Sequence, residues 1–203
     1  METNFHYILW YEEERTILIK HQEYPYQFPD IPAPKWFYLS SLAENSLPYH
    51  KQIETYLAQH PETKVAFQPG TFQIKLGYEQ LKGLYERSEL FFCNKGEAQR
   101  ILGSSANDIK ELLKGIRDLG PNIAVITDGP KGAYTFDGSE MWHMPMYPDP
   151  KPPVDRTGAG DSFAATMTAA LILGKSIPEA LSWGPVNSMS VVQEIGAQKG
   201  LLT

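Results

Sequence analysis

Two glycines and a carboxylate lie close together in the segment Asp155-Arg156-Thr157-Gly158-Ala159-Gly160-Asp161. The proline-rich stretch 148–153 excludes a regular helix before this segment, and the stretch from Ser162 to Leu173, rich in Ala, Leu, Phe and Met, predicts a buried helix that begins near Gly160. Free backbone N–H groups in a first helical turn carry partial positive charge, and glycine lets a phosphate approach them closely. The segment therefore predicts an anion site.

Asp161 predicts a second role for the same segment, because an aspartate is a poor choice for binding an anion. At this position its carboxylate can remove a proton from a hydroxyl group that then attacks the phosphate. The alternative is that Asp161 caps the helix and that the glycines form only a turn.

Asn94 and Glu97 follow the strand-like run Phe91-Phe92-Cys93 and are three residues apart. One interpretation is a helix N-cap at Asn94 with Glu97 closing a capping box. Cys93, the single cysteine, excludes a disulfide framework and is expected to be a small apolar residue at the strand end.

The sequence Asp-x-Thr-Gly-Ala-Gly-Asp, followed by Ser-Phe and a helix of small residues, resembles the signature of the ribokinase-like carbohydrate kinases, the phosphofructokinase B-type family. The chain lacks the Gly-x-x-x-x-Gly-Lys-Ser/Thr phosphate loop of another class. The resemblance implies transfer of the ATP γ-phosphoryl group to a hydroxyl of a sugar, with Asp161 as general base. It assigns Asn94 and Glu97 to Mg²⁺, which prefers oxygen ligands and keeps several waters, and this role is compatible with the capping box. It also implies an anion hole made by the backbone amides of Gly158, Ala159, Gly160 and Asp161.

Two further stretches resemble nucleotide-binding parts of that family. After the buried-type strand Ile123–Thr127, the sequence to Gly132 is similar to the Thr-x-Gly-x-x-Gly nucleotide loop, although a plain turn is the alternative. The region from Trp183 through Asn187 to Ala197 resembles the lining of an adenine pocket that closes on a monovalent cation such as K⁺, and a packed helix with a glycine stop is its alternative. The cofactor-binding residues that the resemblance implies are Thr127, Gly129, Gly132, Asp155, Thr157 and Asn187.

The sequence departs from the family in three places. Relatives commonly have Asp or Asn where this chain has Gln68, so the resemblance assigns Gln68 no part in organising magnesium or phosphate. Arg156 stands where threonine is more usual and can add a cation near the transferring phosphate. No strand with Gly-Gly and Asn-containing substrate motifs precedes Asn4, so we expect a C-terminal portion of such a kinase: a fragment, a wrongly placed start or half of a split protein.

Strands and helices alternate regularly along the part of the chain that must position these residues. Such alternation predicts a mostly parallel sheet covered by helices on both faces, with ligands at the carboxyl ends of the strands. The expected fold is α/β, a ribokinase-like three-layer αβα sandwich. Its predicted strands are 36–39, 64–67, 90–93 and 123–127, and its predicted helices are 48–60, 78–88, 97–102, 108–119 and 162–173.

The first 34 residues are expected to form a separate unit from a core at 35–203. Phe5–Trp10 and Arg15–Lys20 predict a β-hairpin, and a proline-rich connector extends from Tyr24 to Pro34. The resemblance implies that the hairpin is a lid over the substrate and that its exposed aromatic residues form a homodimer surface. The alternative is an edge hairpin of the main sheet.

The charge and composition exclude several other classes of function. Eighteen basic and 24 acidic residues give a net charge of −6, which argues against nucleic-acid binding. The polar start and the absence of a long apolar run predict a cytoplasmic protein that does not enter a membrane. The five histidines lack zinc-site spacing, and no Gly-x-Gly-x-x-Gly follows a first strand.

Two classes of function remain in competition. One is an ATP-dependent kinase acting on a sugar, or on a nucleoside within the same family. The other is a truncated, non-catalytic remnant that binds nucleotide or regulates a partner. The sequence does not select the sugar or nucleoside, nor the oligomeric state.

Overall fold

The computed structural model describes residues 5–11, 14–20 and 23–202. The β-strands among these residues form two sheets. A two-stranded sheet contains β1 (Phe5–Tyr11) and β2 (Glu14–Lys20). A six-stranded sheet contains, in chain order and in spatial order, β3 (Trp36–Leu39), β4 (Lys64–Phe67), β5 (Ser88–Asn94), β6 (Ile123–Thr127), β7 (Ala133–Phe136) and β8 (Met141–Met144).

Among the described residues, seven α-helices accompany the strands. In chain order they are α1 (Leu47–Gln59), α2 (Thr71–Leu76), α3 (Tyr78–Arg87), α4 (Lys95–Leu102), α5 (Ile109–Asp118), α6 (Ala159–Ile172) and α7 (Ile177–Val192). Within the part of the chain that the structure describes, none of the helices has both the length and the apolar composition needed to cross a bilayer.

The first four strands of the large sheet are parallel, and their carboxyl ends meet at one edge. Phe67 at the end of β4 pairs with Phe91, and Asn94 at the end of β5 pairs with Thr127 at the end of β6. The strands β7 and β8 then extend the sheet in antiparallel fashion. Loops that follow β4, β5 and β6 therefore emerge side by side.

Two apolar cores cover the two faces of this sheet, as alternating side chains of the buried strands require. On one face, Phe67, Phe91 and Ile126 pack with α1, α3, α4 and α5. On the other face, Phe92 and Val125 pack with α6 and α7. The predicted three-layer αβα sandwich with a mostly parallel sheet is therefore confirmed.

Most predicted elements are found within a few residues of their expected bounds. The strands at 36–39, 64–67 and 123–127 coincide with β3, β4 and β6, and the helix expected near Gly160 begins at Ala159. The sequence analysis did not predict the short helix α2 or the antiparallel strands β7 and β8. The stretch around Trp183–Asn187 lies inside the long helix α7.

The predicted N-terminal hairpin forms, and it is a sheet of its own, so the alternative of an edge hairpin of the main sheet is wrong. Tyr7 pairs with Leu18 on this hairpin, and both side chains are exposed. The tip of the predicted turn, residues 12–13, and the side chain of Trp10 lie outside what the structure describes. The lid and the division at residue 34 stay predictions.

The proline-rich connector lies against α1. Its Phe28 N–H donates a hydrogen bond to Gln52 Oε1 (2.8 Å), and the Phe28 and Tyr56 rings lie 4.7 Å apart between centroids. The Tyr56 hydroxyl donates to the Pro32 carbonyl at 3.3 Å. Aromatic packing thus joins the connector to the first helix of the core.

A buried polar network ties α1 to the loop that follows β4. The Nδ1–H of fully buried His50 donates to the Ser46 carbonyl (2.8 Å), and His50 Nε2 accepts from Gln73 Nε2 (3.0 Å). Gln73 Oε1 in turn accepts from the Gly70 N–H at 2.7 Å. Because Nε2 is an acceptor here, His50 is neutral in the folded protein, and burial lowers the pKa of His50.

We predict that this network makes folding stability sensitive to acid. Below about pH 6.5 the unfolded chain binds a proton at His50 while the folded chain stays neutral, so the free energy of unfolding falls. The loss is up to about 1.4 kcal/mol for each pH unit, until the pH reaches the pKa of folded His50. Urea denaturation of wild type and His50→Gln, from neutral to mildly acidic pH, measures this fall in the free energy of unfolding.

His60→Gln, a change at a partly exposed histidine beside Glu62, is the matched control and should keep the loss of stability at acidic pH. Parallel pH profiles for wild type and His50→Gln would contradict a neutral, buried His50.

Candidate active site

A cavity of about 530 Å³ lies where the carboxyl ends of β4, β5 and β6 meet the N-terminus of α6. This volume is in the range of small-molecule sites. Nine of the predicted site residues line it: Asn94, Glu97, Thr127, Gly129, Gly132, Gly158, Ala159, Gly160 and Asp161. The other three, Asp155, Thr157 and Asn187, are not on its wall.

The first turn of α6 supplies backbone donors to this cavity. Gly158 is the N-cap, with a left-handed backbone (φ 84°), and Ala159, Gly160 and Asp161 are the first three helical residues. None of these N–H groups has an acceptor within the helix, because the first turn of any helix lacks one. The Ala159 N–H makes a long hydrogen bond to the Arg156 carbonyl of the preceding turn (3.4 Å). The N–H groups of Gly160 and Asp161 can donate to a bound anion, with the helix dipole adding to the attraction.

Asp155 holds the turn that precedes α6 rather than lining the cavity. Its carboxylate, only 4% exposed, accepts hydrogen bonds from the Thr157 N–H (2.9 Å) and hydroxyl (2.6 Å) through Oδ1. Its Oδ2 accepts from the Gly196 N–H at 2.9 Å. Asp155 and Thr157 thus connect the turn before α6 to the loop after α7.

Asp161 is in the first turn of α6 but does not cap the helix. Gln68 Nε2 donates to Asp161 Oδ1 at 3.0 Å, and the Tyr38 hydroxyl donates to Gln68 Oε1. Desolvation and the nearby Asp161 charge raise the pKa of Tyr38 above its ordinary value. The hydrogen bond from Gln68 to Asp161, and that from Tyr38 to Gln68, were not predicted from the sequence, and the only signal for Gln68 was its location just after a strand.

Asn94 and Glu97 form the capping box of α4. The Glu97 N–H donates to Asn94 Oδ1 (2.9 Å), and the Asn94 N–H donates to Glu97 Oε2 (2.8 Å). Burial raises the pKa of Glu97, and the charge of Asp161 acts in the same direction. The capping role that the sequence offered as an alternative is therefore present.

The cavity chemistry also fits magnesium. Glu97 and Asp161 place two carboxylates around one cavity, and a divalent cation would relieve their mutual repulsion. Among the described residues, no group of three or more His, Cys, Asp or Glu side chains is arranged to hold a metal. Two carboxylates and one amide suit Mg²⁺, which keeps several waters.

The predicted nucleotide loop after β6 closes a tight turn beside the cavity. The Asp128 N–H donates to the Gly132 carbonyl (2.8 Å), and the Gly132 N–H donates to the Gly129 carbonyl (3.0 Å). Asp128 Oδ2 lies 3.5 Å from Lys131 Nζ and 4.0 Å from Lys95 Nζ. Thr127, Gly129 and Gly132 line the same cavity as the first turn of α6.

Asn187 points into the protein instead of the cavity. Its Nδ2 donates to Thr166 Oγ1 (2.7 Å), and its Oδ1 accepts from the Leu202 N–H (3.0 Å). The residues of the same helix that do line the cavity are Pro185, Ser188, Met189 and Val192, whereas from this region the sequence had singled out Asn187 alone. A hydrophobic run could not show which face of α7 is turned toward the cavity.

Comparison with known proteins shows that this chain is similar to kinases. Residues 2–203 match the profile of the pfkB family carbohydrate kinases. A cytidine kinase of Thermococcus kodakarensis is 33% identical over 118 residues, which cover 57% of this chain and 41% of that enzyme. The chain thus spans less than half the length of this curated relative.

Solved structures agree with the sequence comparison. Ribokinase of Cryptococcus neoformans in complex with ADP superposes with a TM-score of 0.72 and 26% identity, over 94% of this chain and 65% of that chain. A putative ribokinase II from E. coli, in complex with ATP and Mg²⁺, gives a TM-score of 0.68 at 20% identity, over 83% of this chain and 55% of that chain. The second likeness shows the fold alone.

We predict that Gly158 and Gly160 differ in whether they tolerate a side chain. A Cβ at Gly158 would lie 2.6 Å from the Ala197 Cβ, and the backbone there is left-handed, so Gly158→Ala should lower the free energy of unfolding by about 1–3 kcal/mol. At Gly160 a Cβ meets nothing within 4 Å. Gly160→Ala should therefore keep the stability while narrowing the cavity. Urea denaturation of both variants measures this, and equal stabilities would contradict the close contact at Gly158.

Proposed function

The chain belongs to the pfkB family of carbohydrate kinases, and we propose that it transfers the γ-phosphoryl group of ATP to a hydroxyl group of a sugar. One observation carries the proposal: the Asp161 carboxylate shares a single cavity with the first-turn amides of α6 and with Asn94 and Glu97. A base, an anion site and oxygen ligands for a metal are the parts that phosphoryl transfer requires.

In the proposed reaction, Asp161 accepts the proton of the acceptor hydroxyl as its oxygen bonds to the γ-phosphorus. The bond from this phosphorus to the oxygen that bridges it to the β-phosphate breaks, and ADP leaves with that electron pair. The amides of Gly158, Ala159, Gly160 and Asp161 donate to the phosphate oxygens, where negative charge is concentrated.

Asn94 and Glu97 are proposed to hold Mg²⁺ through its water ligands. When bound, magnesium neutralises part of the charge on the ATP phosphates. The ATP and Mg²⁺ bound to the E. coli putative ribokinase II support this choice of cofactors. Thr127, Gly129 and Gly132 are proposed to contact the nucleotide, with the cavity-lining residues of α7 beside its base.

A monovalent cation such as K⁺ is proposed near the loop that follows α7. Gln193 Oε1 is buried and, among the residues the structure describes, has no hydrogen-bond partner. The preceding carbonyl, that of Val192, accepts from the N–H groups of Val154 and Asp155. A buried oxygen without a donor, next to the turn that precedes α6, suits an oxygen-liganded cation.

Two alternatives are kept. The likeness to a cytidine kinase favours a nucleoside as a second candidate acceptor. The other alternative is a remnant that binds nucleotide without catalysis. For the whole protein, we propose a cytoplasmic location, where ATP is available.

The hairpin of β1 and β2 is proposed to act as a lid over the substrate and as a homodimer surface. Phe5, Tyr7 and Leu18 expose apolar surface there, and Tyr7 is 63% exposed. Contiguous exposed apolar residues on a small sheet are typical of an interaction site.

Replacement of the base tests the proposed reaction. Asp161→Asn should lower ADP release with the best acceptor by roughly 10² to 10⁴, because a positioned base contributes that much, while MgATP affinity changes little. A coupled ADP-release assay over sugars and nucleosides, with calorimetry for MgATP, measures both. Asp30→Asn, in the exposed connector, is the matched control.

Unchanged turnover in Asp161→Asn would remove Asp161 from the reaction. A wild-type chain that binds MgATP but phosphorylates no sugar or nucleoside would favour the remnant.

A further inference from the structure

The carboxylate of Asp161 is oriented by residues from two strands that lie far from it in the sequence. Gln68 follows β4 directly and is 93 residues away from Asp161, to which its Nε2 donates at 3.0 Å. Tyr38 belongs to β3 and donates its hydroxyl hydrogen to Gln68 Oε1. Three neighbouring elements thus contribute to one chain of hydrogen bonds that ends on the proposed base.

The loop that carries Gln68 is fixed on both sides. The Gln68 N–H donates to the Leu39 carbonyl at 2.9 Å, which continues the pairing of β3 and β4. Two residues later, the Gly70 N–H donates to buried Gln73. Gly70 also packs so closely that a Cβ would lie 2.0 Å from Ser41 Oγ, so no other residue fits without a shift of the loop.

The direction of the Gln68 amide follows from its two partners. An ionised carboxylate only accepts hydrogen bonds, so the NH₂ group must face Asp161. The amide oxygen then faces Tyr38, whose hydroxyl can donate to it. If the amide were flipped, its oxygen would face the Asp161 carboxylate and the two would repel. A carboxylate at position 68 would place a second negative charge beside Asp161.

We propose that Gln68 and Tyr38 are positioning residues for phosphoryl transfer, which hold Asp161 through the Tyr38–Gln68–Asp161 hydrogen bonds. Gln68 occupies one oxygen of Asp161, and the other oxygen is the one assigned to take the proton of the acceptor hydroxyl. This inference rests on the proposed function for the role of Asp161. It assigns a role to Gln68, one of the positions where the sequence departs from the family pattern.

Kinetics of four variants test the positioning role. Gln68→Met keeps the length of the side chain without a donor and should lower kcat by roughly 10- to 100-fold, with KM for ATP nearly unchanged, since a hydrogen bond to a charged group is lost. Tyr38→Phe acts one bond further away and should lower kcat by about 3- to 10-fold. Tyr56→Phe is the matched control: it removes a hydroxyl that donates to the Pro32 carbonyl of the connector, and it should leave kcat unchanged.

Gln68→Glu separates positioning from packing. Glutamate has nearly the shape of glutamine, so a packing role predicts a milder effect than that of Gln68→Met. The positioning role predicts that kcat falls at least as far as in Gln68→Met, because the amide donor is replaced by a negative charge beside the Asp161 carboxylate. A milder effect of Gln68→Glu, or an effect of Gln68→Met on KM for ATP alone, would overturn the proposal.

A spectroscopic measurement tests the hydrogen bond between Gln68 and Asp161 independently of enzymatic turnover. In the full chain labelled with ¹⁵N-glutamine, the side-chain amide signal of Gln68, assigned by its loss in Gln68→Met, should move in both Asp161→Asn and Tyr38→Phe. It should not move in Tyr56→Phe. A Gln68 signal indifferent to Asp161→Asn would overturn the proposal. A wild-type chain that lacks kinase activity while this signal responds would instead contradict the proposed function and leave the contact supported.

Discussion

The buried carboxylate of Asp155 is the contact on which the geometry of the cavity depends. It accepts hydrogen bonds from both the N–H and the hydroxyl of Thr157 and from the N–H of Gly196. A buried charge needs such donors, and here they come from two separate loops. By joining these loops, Asp155 fixes where α6 begins and therefore where its first-turn amides point.

Everything else at the cavity follows from the parallel sheet. Because the carboxyl ends of β4, β5 and β6 lie side by side, Gln68, Asn94 and Thr127 reach the same space from successive strands. The N-terminus of α6 faces them with fixed dipoles, which need no rearrangement when a charged ligand enters. The rigid core supplies the positions, and residues just beyond the strand ends supply the chemistry.

Local signals in the sequence were enough to predict the parallel core and the two glycine-containing segments of the cavity wall. The apolar runs at 64–67 and 123–127 predicted β4 and β6, and the glycines around Ala159 predicted the start of α6. Short elements without a clear period, such as α2 and β7, were missed. The contact of Gln68 with Asp161 joins residues far apart in the chain, and the inward direction of Asn187 depends on how α7 packs, so neither was visible in one sequence.

Calorimetric titration of the 203-residue chain with ATP, with and without magnesium, is the most direct test that this cavity is a nucleotide phosphate site. We expect weak, saturable binding at one site that becomes tighter when magnesium is present, because Asn94 and Glu97 lie beside the first-turn amides of α6. Absence of nucleotide binding under both conditions would contradict the site.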